Sequence, residues 1–223
     1  AQPCQGWGRG FESLRPLQSI SRRSRSALSK PCSAALASAE TVAPDAPTRL
    51  TFEMVRVLHS IRRARPVDVD DIAAVHDAAW REAYQGIIPG RALEAMIARR
   101  GPAWWGSAIR RGSRLLVLEF DSRVVGYVSH GRNRVAALPY AGEIFELYLQ
   151  PAFQGVGLGA RLFEAARDDL ASNGYLSTVV WALSDNERAL RFYKKMGGAE
   201  VWRATEQFDN DTRARVAFGF AAK

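Results

Sequence analysis

Apolar positions along the chain change rhythm near residue 54. Before it there is no sustained period of 3.6 or 2.0, and from Val55 onward they recur regularly. Val55, Val57 and Ile61 predict a first strand near 55–64, ended by Pro66. Asp68 is then placed to cap a helix, with Asp71 set favourably against the helix dipole. Ile72, Val75, His76, Ala79, Trp80 and Ala83 follow at helical spacing, so His76 reads as a packed histidine on an apolar stripe. Gly86 to Pro89 break that helix. A second amphipathic segment is expected over about 90–100 (Leu93, Met96, Ile97) and a weaker third over 102–110.

The second half alternates strands and helices. Leu115–Leu118 and Val124–Val128, separated by Asp121-Ser122, predict a hairpin. A strand over 142–149 ends at Pro151. A helix over about 157–171 places Leu162, Phe163, Ala166 and Leu170 on one face and stops at Asn173-Gly174. A strand over 175–182 leads to Ser184-Asp185-Asn186-Glu187, a capping box for a helix that runs to Lys195 and stops at Gly197-Gly198. Two last strands, near 200–208 and 213–220, flank Asp209-Asn210-Asp211. The order predicts one mixed α/β domain over 54–223, with a central sheet of six to seven strands flanked by helices.

Residues 1–53 are rich in Ser, Arg, Ala, Pro and Gly and read as a disordered tail. Three readings of this tail stay open. It is a flexible, loosely anion-binding arm, or an organelle transit peptide, or an artefact of an upstream start. For the last, Gly10-Phe11-Glu12-Ser13 back-translates to a codon string holding the GTTCGA core of a transfer-RNA T-arm when the Gly10 codon ends in G. Met54, the first methionine, then becomes the true start.

The 223 residues are 47% hydrophobic, enough for a sizeable core, and no stretch reaches the roughly 20 apolar residues of a membrane span. The net charge of +8 fits nucleic acid, an anionic surface or an anionic cofactor, and charge alone does not choose. Cys4 and Cys32 both lie in the tail, so the ordered part holds neither a disulfide nor a cysteine nucleophile. The histidines His59, His76 and His130 lack metal-ligand spacing, which argues against a zinc enzyme.

The chemistry concentrates where a strand passes through Gln154-Gly155-Val156-Gly157-Leu158-Gly159 into a helix. A helix N-terminus presents free N–H groups and the positive end of its dipole, and glycines let the backbone approach a phosphate. The spacing is neither a dinucleotide fingerprint nor a Walker loop. A tight turn without a ligand is the competing reading.

Leu147 through Gly159 resembles the strand and pyrophosphate loop of the GNAT acetyltransferases, [QR]-x-x-G-x-[GA], with Gln154, Gly157 and Gly159 at the defining positions. Asn186 through Ala199 resembles that family's second signature, N-x-x-A-x-x-F-Y-x-x-x-G-[FG]. Gly197-Gly198 stands where the family usually has Gly-Phe, which is expected to loosen packing after the helix.

The resemblance implies acetyl transfer from acetyl-CoA to a primary amine in a ternary complex, without a metal. A non-catalytic acyl-CoA sensor is the alternative. It implies that the backbone of Leu147 and Leu149 aligns the pantetheine, that Gln154, Gly155, Val156, Gly157, Leu158, Gly159 and Ala160 take the pyrophosphate, and that Asn186 contacts the cofactor arm. Tyr193 becomes the candidate general acid, unless it only continues the apolar stripe of its helix. Glu143 and Glu146 are candidate bases, with Glu143 favoured; alternation puts them on opposite strand faces unless a bulge intervenes. Trp80 and Tyr84 are candidate acceptor-binding residues, and Trp104 and Trp105 a second wall or sheet cover. A cytoplasmic setting, no membrane or nucleic-acid partner, and a homodimer without an assignable interface complete the expectation.

Overall fold

A computed structural model describes residues 59–222. The tail, Met54 and the start of the expected first strand lie outside the described residues. The chain runs β1 (His59–Arg63), α1 (Val69–Tyr84), α2 (Gly90–Ala98), α3 (Pro102–Arg110), β2 (Arg114–Phe120) and β3 (Arg123–Arg132). It continues through β4 (Gly142–Leu149), α4 (Leu158–Ser172), β5 (Thr178–Leu183), α5 (Glu187–Lys195), β6 (Ala199–Phe208) and β7 (Asp211–Phe220). This is the expected mixed α/β fold, with seven strands in the order β1-β2-β3-β4-β5-β7-β6. Strand β5 starts three residues later than expected, at Thr178. Among the described residues no helix is long and apolar enough to cross a membrane, and no group of three or more His, Cys, Asp or Glu is gathered as metal ligands.

Helices cover both faces of the sheet. Leu162, Phe163, Ala166 and Leu170 of α4 are completely buried against Leu118, Val128, Ile144 and Phe218. Burying each large side chain stabilises the fold by roughly 1.5–3 kcal/mol. On the opposite face, Ile72 and Val75 of α1 and Trp105 of α3 pack on Val117 and Tyr127. Polar contacts hold α4 in place: Asp169 accepts from Arg63 at 2.6 Å and lies 2.7 Å from His130 Nε2.

Three local expectations are corrected. Asp68 stands at the start of α1 but makes no cap bond. Its carboxylate instead accepts from Arg62 at 2.7 and 2.9 Å and from the Arg65 N–H at 2.6 Å, because a buried carboxylate is better satisfied by a guanidinium than by one amide. The cap of α5 is Asn186, whose Oδ1 accepts from Ala189 N–H at 3.0 Å; no Ser184 capping box forms. Packing after α5 is not loosened at Gly198, where a Cβ would stand 2.6 Å from Cζ of Phe220. The aromatic bulk comes from β7 instead.

The feature that builds the site is a defect in β4. Ser129 pairs with Glu146 and His130 with Ile144, which leaves Phe145 without a partner on β3. One extra residue in a strand reverses the alternation beyond it. Glu143 and Glu146 therefore share a sheet face: of the two expectations, plain alternation gives way to the intervening bulge. At the same point β4 and β5 part. Their parallel pairing covers only Gly142–Ile144 against Thr178–Val180.

Candidate active site

Beyond Ile144 the β5-facing backbone of β4 has no strand partner, and a cleft of about 400 Å³ opens between the two strands. Leu147, Tyr148 and Leu149 form one wall, and Trp181 and Ala182 the other. At one end stands the glycine turn. Gly155 and Gly157 have φ of +81° and +89°, the left-handed region that favours glycine, and Gly157 leads directly into α4. The N–H groups of that first turn precede any intrahelical acceptor and are available to an anion. A Cβ on Gly159 would meet Leu149 at 3.4 Å, an ordinary contact, so this glycine is not required by sterics within the protein.

Most expected site residues meet here. Gln154, Gly155, Gly157, Gly159 and Ala160 line the cleft, as do Leu147 and Leu149. Val156 is exposed at the tip of the turn, and Leu158 points into the core. From α5 come Asn186 and Tyr193. The cap bond occupies Asn186 Oδ1 and leaves its NH₂ group for a ligand. Tyr193 is 7% exposed, and burial pushes its phenol well above the ordinary value.

The two glutamates have different surroundings. Glu146 lines the cleft; it lies 3.2 Å from Arg100 Nη1, and Ser129 Oγ approaches it at 3.4 Å. Arg100 is itself stacked 3.9 Å from the centre of the Trp104 ring. Glu143 is turned into a fork with Arg134, accepting at 2.6 and 3.1 Å, and also accepts from the Arg134 N–H at 3.0 Å. It is not among the cleft residues.

Tyr84 reaches the cleft from α1, and its hydroxyl shares a 2.7 Å hydrogen bond with that of Tyr148. Burial pushes the Tyr84 phenol up to about 12. Trp80 lines a narrow crevice with Tyr84, Trp181, Phe208 and Arg215, not the cleft itself. Behind the cleft, His76 Nδ1 lies 2.7 Å from the Tyr127 hydroxyl. Burial, helped by the charge of Arg100, lowers the His76 pKa to about 3, so this histidine is neutral.

Sequence reasoning missed Arg100, Arg188, Glu82 and Tyr148. Tyr148 was legible as a neighbour of Leu147 and Leu149. The other three act through partners 46 to 106 residues away, and no local pattern signals them.

Residues 72–198 match the acetyltransferase (GNAT) family model. An uncharacterized N-acetyltransferase, YuaI of Bacillus subtilis, is 31% identical over 135 residues, 60% of this chain and 77% of the relative. PaiA N-acetyltransferase from Thermoplasma acidophilum, solved with coenzyme A, superposes with a TM-score of 0.59 at 20% identity, covering 73% of this chain and 99% of that one. YncA of Salmonella typhimurium, a putative acetyltransferase solved with acetyl-CoA, gives 0.53 at 20%, covering 74% and 95%. With the family model spanning more than half of the chain, and with the parted strands and glycine turn in place, the chain belongs to the GNAT family of acetyltransferases.

Proposed function

We propose that this protein transfers an acetyl group from acetyl-CoA to a primary amine by direct attack within a ternary complex. The observation that carries the reading is the cleft at the β4–β5 parting. It has an anion-ready helix N-terminus at one end and is lined by both Glu146 and Tyr193.

The thioester lies along β4, its diphosphate on the N–H groups of residues 155–160 and its pantetheine along the unpaired backbone of Leu147 and Leu149. Asn186 donates its NH₂ group to a pantetheine carbonyl. The amine enters from the side of Tyr84 and Trp80. Its nitrogen attacks the acetyl carbon, and the C=O electron pair moves onto oxygen. Glu146 takes the amine proton directly or through water, a role Glu143 is ill placed for because Arg134 encloses it. Collapse of the tetrahedral intermediate forms the amide and breaks the C–S bond. Tyr193 delivers its hydroxyl proton to the departing sulfur. Its raised pKa keeps the phenol protonated across neutral pH, so it serves as a donor throughout.

The test is acetyl-CoA binding and amine acetylation by the wild type and by Gly159→Glu. That substitution puts a carboxylate at the helix N-terminus without positive-φ strain. Binding in the wild type that is lost in the folded variant supports the reading, and a panel of amines then identifies the acceptor. A folded wild type that binds no acetyl-CoA overturns it.

A further inference from the structure

The carboxylate of Glu82, near the C-terminal end of α1, ties together three elements at the mouth of the cleft. One oxygen accepts from Gln154 Nε2 of the glycine turn at 2.7 Å, and the other from Arg188 Nη1 of α5 at 2.9 Å. Gln154 Nε2 also donates to the Leu149 carbonyl at 2.9 Å. An amide nitrogen carries two hydrogens, so both donors of Gln154 are engaged and none faces an anion. The one carboxylate thus sits beside the glycine turn, where its charge opposes a phosphate, and occupies the nearby guanidinium as well.

The arrangement is poised to exchange. The Glu82 and Arg188 side chains are 39% and 56% exposed, and an ion pair this exposed is weak. A guanidinium offered a diphosphate makes a stronger, two-pronged contact. We propose that Arg188 is a phosphate-binding residue for the acyl-CoA diphosphate, held in reserve by Glu82. Ligand entry breaks the Glu82–Arg188 pair, transfers the guanidinium to the diphosphate and frees one hydrogen of Gln154 for the same anion. This rests on the reading of the cleft as the acyl-CoA site.

The experiment measures the affinity of the full chain for acetyl-CoA and for S-acetyl-pantetheine, the same acetyl thioester arm without the phosphates and the adenosine, at several salt concentrations. Arg188→Gln is expected to weaken acetyl-CoA binding about tenfold, to flatten its salt dependence and to leave S-acetyl-pantetheine unchanged. Glu82→Gln is expected to tighten acetyl-CoA binding severalfold. The proposal is overturned if Arg188→Gln leaves the acetyl-CoA affinity and its salt slope unaltered. Equal weakening of both thioesters also overturns it, since that marks a purely structural role. A wild type that binds neither thioester removes the acyl-CoA reading and this proposal together; normal wild-type binding with unaffected variants removes only this one.

Discussion

The ring of Phe220 occupies the space that a side chain on Gly198 would need. A Cβ there would stand 2.6 Å from Phe220 Cζ and 2.9 Å from the Tyr193 carbonyl oxygen. Phe220 is 3% exposed and packs 4.9 Å from the Phe163 ring, so it has nowhere to yield. Gly198→Phe, although it supplies the usual residue of the family signature, is therefore expected to lower stability by about 1–3 kcal/mol. Chemical denaturation of the two proteins measures this. The smaller Gly198→Phe/Phe220→Ala combination recovers part of the loss if the two positions compete for one volume.

Arg100 and Glu146 form a pair in which each is at least nine-tenths buried. Removing only the cation strands a buried carboxylate, and Arg100→Met is expected to cost about 3–5 kcal/mol. Replacing both by methionine recovers much of that stability, because the pair's own desolvation is also removed. Acetylation stays low in the double variant if Glu146 is the base. Glu146→Gln alone lowers turnover about a hundredfold while leaving acetyl-CoA affinity near that of the wild type, as single-turnover kinetics and direct titration would read.

His76 gives the fold an acid-sensitive component. Its pKa of about 3 in the folded protein lies below the ordinary value of 6.5, so the unfolded chain binds a proton that the native state does not. Its stability contribution is complete above pH 6.5, shrinks by up to about 1.4 kcal/mol per pH unit as pH falls, and is gone below about pH 3. Urea unfolding of the wild type and of His76→Gln between pH 7 and 4.5 should show a shallower decline in the variant. Parallel declines would place the acid sensitivity elsewhere.

Tyr193→Phe removes one hydroxyl from a buried ring that packs 5.7 Å from Phe218, so folding is expected to survive it. Turnover is expected to drop ten- to a hundredfold with acetyl-CoA affinity unchanged. Acyl donors with a better leaving thiol should narrow the gap, since a thiolate that departs unaided needs no proton. A uniform loss across thioesters of different leaving ability would move the acid role away from Tyr193.

Local pattern carried the fold well. The periodicity of Ile72, Val75 and Ala79 foretold α1, the Asp121-Ser122 turn foretold the β2–β3 hairpin, and the weaker segment over 102–110 coincides with α3. Glycine spacing likewise located the turn at the cleft, because a positive φ leaves a compositional trace. What escaped was whatever depends on distance along the chain. The bulge at Phe145 leaves no mark in β4 itself; it exists only in the register against β3. Asp68 has every property of a helix cap and is diverted by Arg62, which reaches it from a neighbouring strand. Glu82 looks like one more solvated residue of an amphipathic helix until Gln154 and Arg188 converge on it.

The unpaired Phe145 also makes the site depend on counting. Substituting its ring changes contacts with Gly131 and Arg134 and leaves the backbone path intact. Deleting the residue would restore unbroken alternation through β4. Glu146 and Tyr148 would keep their face, opposite Ser129 and Tyr127, but the bend that a bulge puts into its strand would be lost at the point where β4 leaves β5. The cleft is thus tolerant of spelling and sensitive to length: one missing codon inside the strand would straighten a bend that a replacement at that position leaves in place.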